Sequence, residues 1–310
     1  MLVLVTGGAG FIGSHIVDAM LSEKHDVRII DNVSTGRVEN IKHLEGKIEV
    51  IDGNISDKAA IDSAVEGADY IFHQAAQTSV VDSIKHPAKT WDVNIKGTKL
   101  LLNAAVKNNV KKIILASSAN IYGSSPKLPK KEDMEVKPNS PYGNSKLMNE
   151  IMAKKYNEDE GLESVCLRYF NVYGPRQNPE SGYSGVISKF IGSMVNDKSP
   201  LIFGDGEQTR DFIYVGDVVR ANITAMKSKI SYDIFNVATG KETSINDIVD
   251  TLNDILGKQL KPNYEEERMG DIRRSVADVS KAKEILGFEA KYSLKEGLKK
   301  TVEWYKKSKK

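Results

Sequence analysis

Cysteine is nearly absent. Cys166, in "ESVCLRYF", stands alone among 310 residues, so no intrachain disulfide can form, and its apolar neighbours suit a small hydrophobe inside a strand. Five histidines, at 15, 25, 43, 73 and 86, keep no helical or hairpin spacing that would make them a ligand set, so no metal is expected. An excess of one charge is also missing. Forty-four Lys+Arg oppose 42 Asp+Glu for a net +2, spread along the chain apart from the ending "YKKSKK", which gives no electrostatic case for nucleic acid. No apolar run approaches the roughly 20 residues of a membrane-spanning helix, and "MLVLVTGG" lacks a basic n-region and an export-length apolar core. A cytoplasmic protein without membrane contact is the expectation. Internal repeats and low-complexity segments are absent as well.

What is present is an alternation. Short β-branched runs, "LVLV", "VRII", "KIEVI", "YIFH", "KKIILAS" and "ESVCLRYF", are separated by helix-periodic stretches such as Ile12 to Leu21 and Val93 to Val106. That rhythm predicts βαβ units: an α/β, Rossmann-type doubly wound parallel sheet covered on both faces. Beyond about Asn171 the pattern loosens into Gly/Pro-rich loops, then helices near Val186 to Val195, Asp217 to Met226, Ile245 to Leu256 and Leu294 to Tyr305. The last two open with S-I-N-D and S-L-K-E, both capping-box patterns. The reading is a dinucleotide-type domain over 1–175, with segments near 210–240 returning to it, and a smaller α/β C-terminal substrate lobe over 176–310.

"LVLVTGGAGFIGSH" sets Gly7, Gly10 and Gly13 after a strand and at the opening of a helix. Glycines there permit a tight turn and close backbone approach, while the helix N-terminus offers N–H groups to a pyrophosphate. "DVRIID" ends at Asp31, 18 residues after Gly13, where an acid can take the adenosine ribose hydroxyls. The acid disfavours a 2′-phosphate, so NAD is expected, although Arg37 in "STGR" keeps NADP open. "SPYGNSKLMNEIMAKKY" begins a helix, with Ser140 as N-cap and Pro141 at the first helical position. Tyr142 and Lys146, four apart, share one face of it, so the ammonium can reach past the ring towards the phenol oxygen.

The glycine spacing and "TGGAGFIGSH" resemble the extended short-chain dehydrogenase/reductase family. Its catalytic Y-x-x-x-K pair falls on Tyr142 and Lys146, and its Ser/Thr after the fifth strand on Ser118 in "ILASSANIYG", with Ser117 as the alternative. The lysine is expected to favour the phenolate and make Tyr142 a base matched to neutral pH. The resemblance further sets Phe11, Ile12, Asn32, Asn54, Ile55, Ala75 and Asn94 along the cofactor, beside Gly7, Gly10, Asp31, Tyr142 and Lys146. Asn54 replaces a common adenine-binding Asp, and Gln77 or Thr78 replaces a cofactor-side Lys, which implies looser NAD.

"NVYGPRQNP", "IFGDGEQTRDFIYVGDV", "NVATG" and "MGDIRRSVADVSKA" extend the likeness to nucleotide-sugar 4-epimerases, the UDP-glucose 4-epimerase group. By that resemblance Asn171 holds the diphosphate-sugar, Arg210 and Arg268 pair with the diphosphate, Asp271 faces the uridine ribose, and Leu201 and Phe203 line the uracil site. Ala119 and Asn120 follow Ser118 where sugar dehydratases and decarboxylases of the family usually carry an acid, which implies epimerisation without loss of water. Ser275 stands where a bulky Tyr restricts relatives to glucose and galactose, so N-acetyl sugars should enter. The implied activity is C4 epimerisation of UDP-Glc/UDP-Gal and UDP-GlcNAc/UDP-GalNAc with bound NAD, in a homodimer pairing helices near Pro87 to Lys107 and Pro141 to Glu158. A 4,6-dehydratase, a 4-reductase or a non-catalytic NAD(H)-binding regulator is the alternative.

Overall fold

The computed structural model describes residues 1–178, 185–267 and 272–308. Seven parallel strands form its main sheet: β1 (Leu2–Thr6), β2 (Asp26–Asp31), β3 (Glu49–Asp52), β4 (Tyr70–His73), β5 (Lys112–Ser118), β6 (Glu163–Tyr169) and β7 (Tyr232–Val237). Their spatial order is β7-β6-β5-β4-β1-β2-β3. The order reverses between β1 and β4, and such a switch point opens a crevice at the carboxyl ends of the strands.

Alternation along each strand divides the apolar residues between two layers. Val3, Val5, Ile114, Val165 and Leu167 pack under helices Phe11–Ser22 and Val215–Lys227, while Leu4, Ile113, Leu115 and Cys166 pack under Lys58–Val65, Gly97–Lys107 and Pro141–Glu160. Both faces are therefore covered. The lone cysteine is a buried free thiol in the second layer.

Helices Val186–Val195 and Ile245–Leu256 have the bounds expected from periodicity, and the others begin or end within a few residues of theirs. Ser140 Oγ accepts from Gly143 N at 3.1 Å, which fixes the start of Pro141–Glu160. Both capping boxes close: Ser244 with Asp247, and Ser293 with Glu296. Beyond the six expected strands, β7 returns from the far side of the chain to pair with β6 across Tyr232–Val237. Its approach is set by Asn171–Tyr173 pairing parallel with Phe212–Tyr214. The smaller lobe has its own core of Phe190, Ile191, Met194, Ile202, Ile248, Leu252 and Leu298.

Candidate active site

The turn after β1 is built for close approach. Gly7 has φ +70°, and a Cβ there would stand 2.8 Å from the Ala75 nitrogen after β4. A Cβ on Gly13 would meet the Gly7 carbonyl at 2.1 Å, and one on Gly10 would meet it at 3.0 Å. Glycine at these three positions adds no Cβ to the turn, so the first turn of Phe11–Ser22 brings its backbone close to the Gly7 carbonyl at the switch point. Phe11 and Ile12 lie half-buried in that turn.

Asp31, ending β2, already braces the cradle: Oδ2 accepts from Ala9 N at 2.9 Å and Oδ1 from Val33 N at 2.8 Å. A carboxylate has about four acceptor sites, so capacity remains for a diol. Asn32 turns outward, its Oδ1 bonded to Ser34 N. Asn54 Oδ1 accepts from Ser56 N, and the buried Ile55 beside it meets Gly97, whose missing side chain admits the helix at that point. These features fit a dinucleotide with its pyrophosphate over the glycines and its adenosine towards β2 and β3.

Asn94 sits in a widened turn, Asp92–Lys96, between two helical segments. Its Oδ1 takes Gln77 N at 2.7 Å, and its Nδ2 donates to Gln77 O at 3.0 Å and Ser145 Oγ at 2.9 Å. The amide thereby ties the loop after β4 to helix Pro141–Glu160. Gln77, in turn, bonds Asp82 and Thr90 through its side chain.

Ser118 is the last residue of β5, at the carboxyl lip of the sheet, and Tyr142 and Lys146 open the neighbouring helix; all three are buried. Ser118 Oγ accepts from Asn120 N at 3.2 Å and Asn120 Nδ2 at 3.1 Å, so the residue at the dehydratase-acid position orients the serine instead. Strand alternation separates the two candidate serines. Ser117 donates to Glu150 Oε1 at 2.5 Å, and Glu150 forms a bidentate pair with Arg168 at 2.9 Å for both bonds. Arg168 also holds the Tyr122 hydroxyl, which donates to Asn236. Ser117 therefore belongs to a buried scaffold joining β5, β6 and β7.

Burial dominates the electrostatics of the pair. Burial raises the Tyr142 phenol above its usual range, and only the hydrogen bond with Ser118 opposes this. Lys146 Nζ donates to the Ala116 carbonyl at 2.9 Å and lies 5.9 Å from the Tyr142 ring centroid. Burial pushes its ammonium down to about 8. Desolvation penalises the charged form of both groups, so the protein alone leaves Tyr142 protonated at neutral pH.

A second cleft, about 310 Å³, opens in the smaller lobe between Asn171, Gln177, Leu201, Phe203, Gln208 and Arg210. It gathers four of the expected substrate residues. Asn171 Nδ2 donates to the Asp211 carbonyl, and Arg210 lies in a short strand flanked by Thr243 and Ser275. The register sets half-buried Ser275 beside Arg210. Asp211, one residue on and fully buried, accepts from Thr239 N, Thr239 Oγ1, Gly240 N and Ala277 N, and so binds the cleft wall to the end of β7. Arg268 and Asp271 lie outside the described residues.

Sequence reasoning missed His73, Asp211, Gln177 and Gln208. His73 is buried between Thr6 Oγ1 and Thr98 Oγ1, both at 2.8 Å, and burial drives it down to about 3, so it stays neutral. The two glutamines and Asp211 had a sequence signal, since all three sit inside the segments that carried the resemblance. Among the described residues there is no group of acidic, His or Cys side chains that could hold a metal, and no helix long and apolar enough to cross a membrane.

A model of the NAD dependent epimerase/dehydratase family matches residues 3–238. The UDP-glucose 4-epimerase of Mycolicibacterium smegmatis is 38% identical over 99% of both chains. Among solved structures, the UDP-glucose 4-epimerase of Thermotoga maritima with UDP-glucose superposes with a TM-score of 0.95 at 42% identity over 100% of both chains. The UDP-N-acetylglucosamine 4-epimerase of Methanobrevibacter ruminantium in complex with UDP-N-acetylmuramic acid does so with 0.94 at 41% identity, over 99% of this chain and 98% of that one.

Proposed function

The chain belongs to the NAD dependent epimerase/dehydratase family, and from that we propose that it interconverts C4 epimers of UDP-hexoses, acetamido sugars included, with NAD as a bound catalyst. The observation that carries the reading is the meeting of Ser118, Tyr142 and Lys146 beside the carboxyl end of β5, in a chain that has a glycine turn after β1 and whose other lobe opens a cleft over Asn171 and Arg210.

NAD supplies a hydride acceptor at C4 and, when oxidised, a positive ring. The chain supplies the proton chemistry. Tyr142 takes the C4 hydroxyl proton as the C4–H bond breaks, and returns it when hydrogen is restored to the opposite face of the transient 4-keto sugar. Ser118, oriented by Asn120, holds the C4 oxygen through its hydroxyl. Burial alone opposes the phenolate, so the Lys146 ammonium and a charge brought by the cofactor have to offset it. Asn171 and Arg210, and by resemblance Arg268 and Asp271, grip the unreactive nucleotide so that the sugar can turn without escaping. Asn120 in place of an acid supports epimerisation over dehydration.

The same reading supports a homodimer, with Val81, Ile84, Trp91, Met148 and Ile151 exposed on neighbouring helices as the apolar seam, and a cytoplasmic location. The test is incubation with catalytic NAD and either UDP-Glc or UDP-GlcNAc, followed by NMR. Both C4 epimers should appear from each. Conversion of UDP-Glc alone would remove the acetamido claim, and conversion of neither would remove the epimerase reading.

A further inference from the structure

Pro175 and Arg176 form the corner of a tight turn over residues 174–177, closed by Gln177 N donating to the Gly174 carbonyl at 3.4 Å. The turn joins Tyr173 to Gln177, and both of these line the cleft of the smaller lobe. Arg176 has φ +68°, the left-handed backbone that the third position of such a turn requires and that glycine or asparagine usually supplies. One of its guanidinium nitrogens, Nη1, is shielded from solvent and has no partner among the described residues. The other, Nη2, donates to Asp18 Oδ2 at 2.6 Å.

Stability does not account for an arginine at this place. The Arg176 and Asp18 side chains are 17% and 32% exposed, and ion pairs in contact with water add little. Left-handed backbone at a non-glycine residue and a shielded N–H without an acceptor each cost more than such a pair contributes. Strain of this kind persists only where the surroundings hold it, and it gathers at ligand clamps. Here the holder is one helix. Asp18 belongs to Phe11–Ser22, as does His15, whose Nε2 donates to the Pro175 carbonyl at 3.0 Å. Burial pushes the His15 imidazole down to about 4, so at neutral pH the ring is neutral, with its proton on Nε2. The other oxygen of Asp18 accepts from His43 Nε2 at 2.7 Å. The helix that opens at the glycine turn thus grips, one and two turns further on, the corner between two residues of the cleft wall.

We propose that Arg176 is a positioning residue for the nucleotide sugar: its bond to Asp18 holds the turn at 174–177, and with it the cleft wall at Gln177, against the cofactor helix. The proposal rests on the UDP-sugar reading. Arg176 does not itself line the cleft, so its loss should weaken substrate binding and spare the chemical step.

The test uses the full chain loaded with NAD and measures C4 epimerisation of UDP-Glc beside urea unfolding. Arg176→Gly is the decisive variant, because glycine takes φ +68° without strain while the bond to Asp18 is lost. Its urea midpoint should match or exceed that of wild type. Its KM should rise about 10-fold with kcat within about 2-fold, the pattern of lost uniform binding. Asp18→Ala should raise KM to a similar degree, and the double variant should go no further, because the two changes remove opposite ends of one bond. An unchanged KM in Arg176→Gly, whatever its midpoint, leaves a merely structural residue and overturns the proposal. So does a fall in kcat at constant KM, or a double variant in which the two KM effects multiply. These outcomes leave the epimerase reading standing, whereas a wild-type chain that converts neither UDP-Glc nor UDP-GlcNAc removes that reading and this proposal together.

Discussion

Tyr142 donates nothing to the fold that phenylalanine would not, apart from its bond with Ser118, and its ring is packed in a buried setting. Tyr142→Phe should therefore fold and still bind NAD, with cofactor affinity by fluorescence titration unchanged within about 2-fold. C4 epimerisation followed by NMR should fall by about 10²- to 10⁴-fold, the range for loss of a positioned acid/base; retention of a tenth of the activity would dismiss Tyr142 as the proton carrier. On the proposed reading Ser275 acts by size. Because its register partner is Arg210 at the cleft, Ser275→Tyr should cut UDP-GlcNAc turnover by at least ~10-fold while UDP-Glc turnover changes little. Equal loss on both sugars would mean that the bulk damaged the Arg210 strand, not the sugar space.

At the scale of elements, His73 locks β4 to β1 through Thr6 and to helix Gly97–Lys107 through Thr98, beneath the glycine cradle. Burial lowers it from 6.5 to about 3, with the charge of Lys146 adding to the effect. Between those values the unfolded chain binds a proton that the native chain refuses, so stability falls as pH falls through this window. From pH 6.5 to about pH 5.5 the loss from this one group is roughly 1 kcal/mol. Urea unfolding should show that increment in wild type and not in His73→Gln; parallel slopes would mean His73 is hydrated in the native protein. The Glu150–Arg168 pair works at the same scale, joining helix Pro141–Glu160 to β6 with Ser117 and Tyr122 attached. Removing one partner strands a buried charge, so Arg168→Met should cost about 3 kcal/mol or more, seen as a lower urea midpoint; an unshifted midpoint would show that solvent reaches Glu150.

The carboxyl edge of the main sheet presents the cradle and Ser118, and the smaller lobe sets its cleft over Asn171, which pairs directly after β6 with the strand Phe212–Tyr214. Asp211 keeps the two parts in register by binding backbone from Thr239, Gly240 and Ala277. On the outer face, Trp91 and Ile151 are 47% and 52% exposed, and the proposed homodimer would cover them. A sedimentation experiment should give a dimer of the 34.2 kDa chain, and Trp91→Glu with Ile151→Glu should give a folded monomer. A wild-type monomer at micromolar concentration would refute the seam.

The glycine turn, Asp31, the capped helix with Tyr142 and Lys146, and the alternation of strand and helix were legible in the amino-acid sequence, because each is a local pattern in which spacing along the chain fixes spacing in space. The choice of Ser118 over Ser117 waited on which side of β5 meets Glu150. The return of β7, separated from β6 by more than sixty residues, was likewise invisible to periodicity. So were the glutamine oxygens of Gln177 and Gln208 that have no partner among the described residues, and the raised phenol of Tyr142, because burial is a sum over neighbours from the whole chain. Sequence alone determined which chemical groups this protein owns and the local turns that aim them; tertiary structure decided which of them are dry, which are paired, and which were left with a bond to offer.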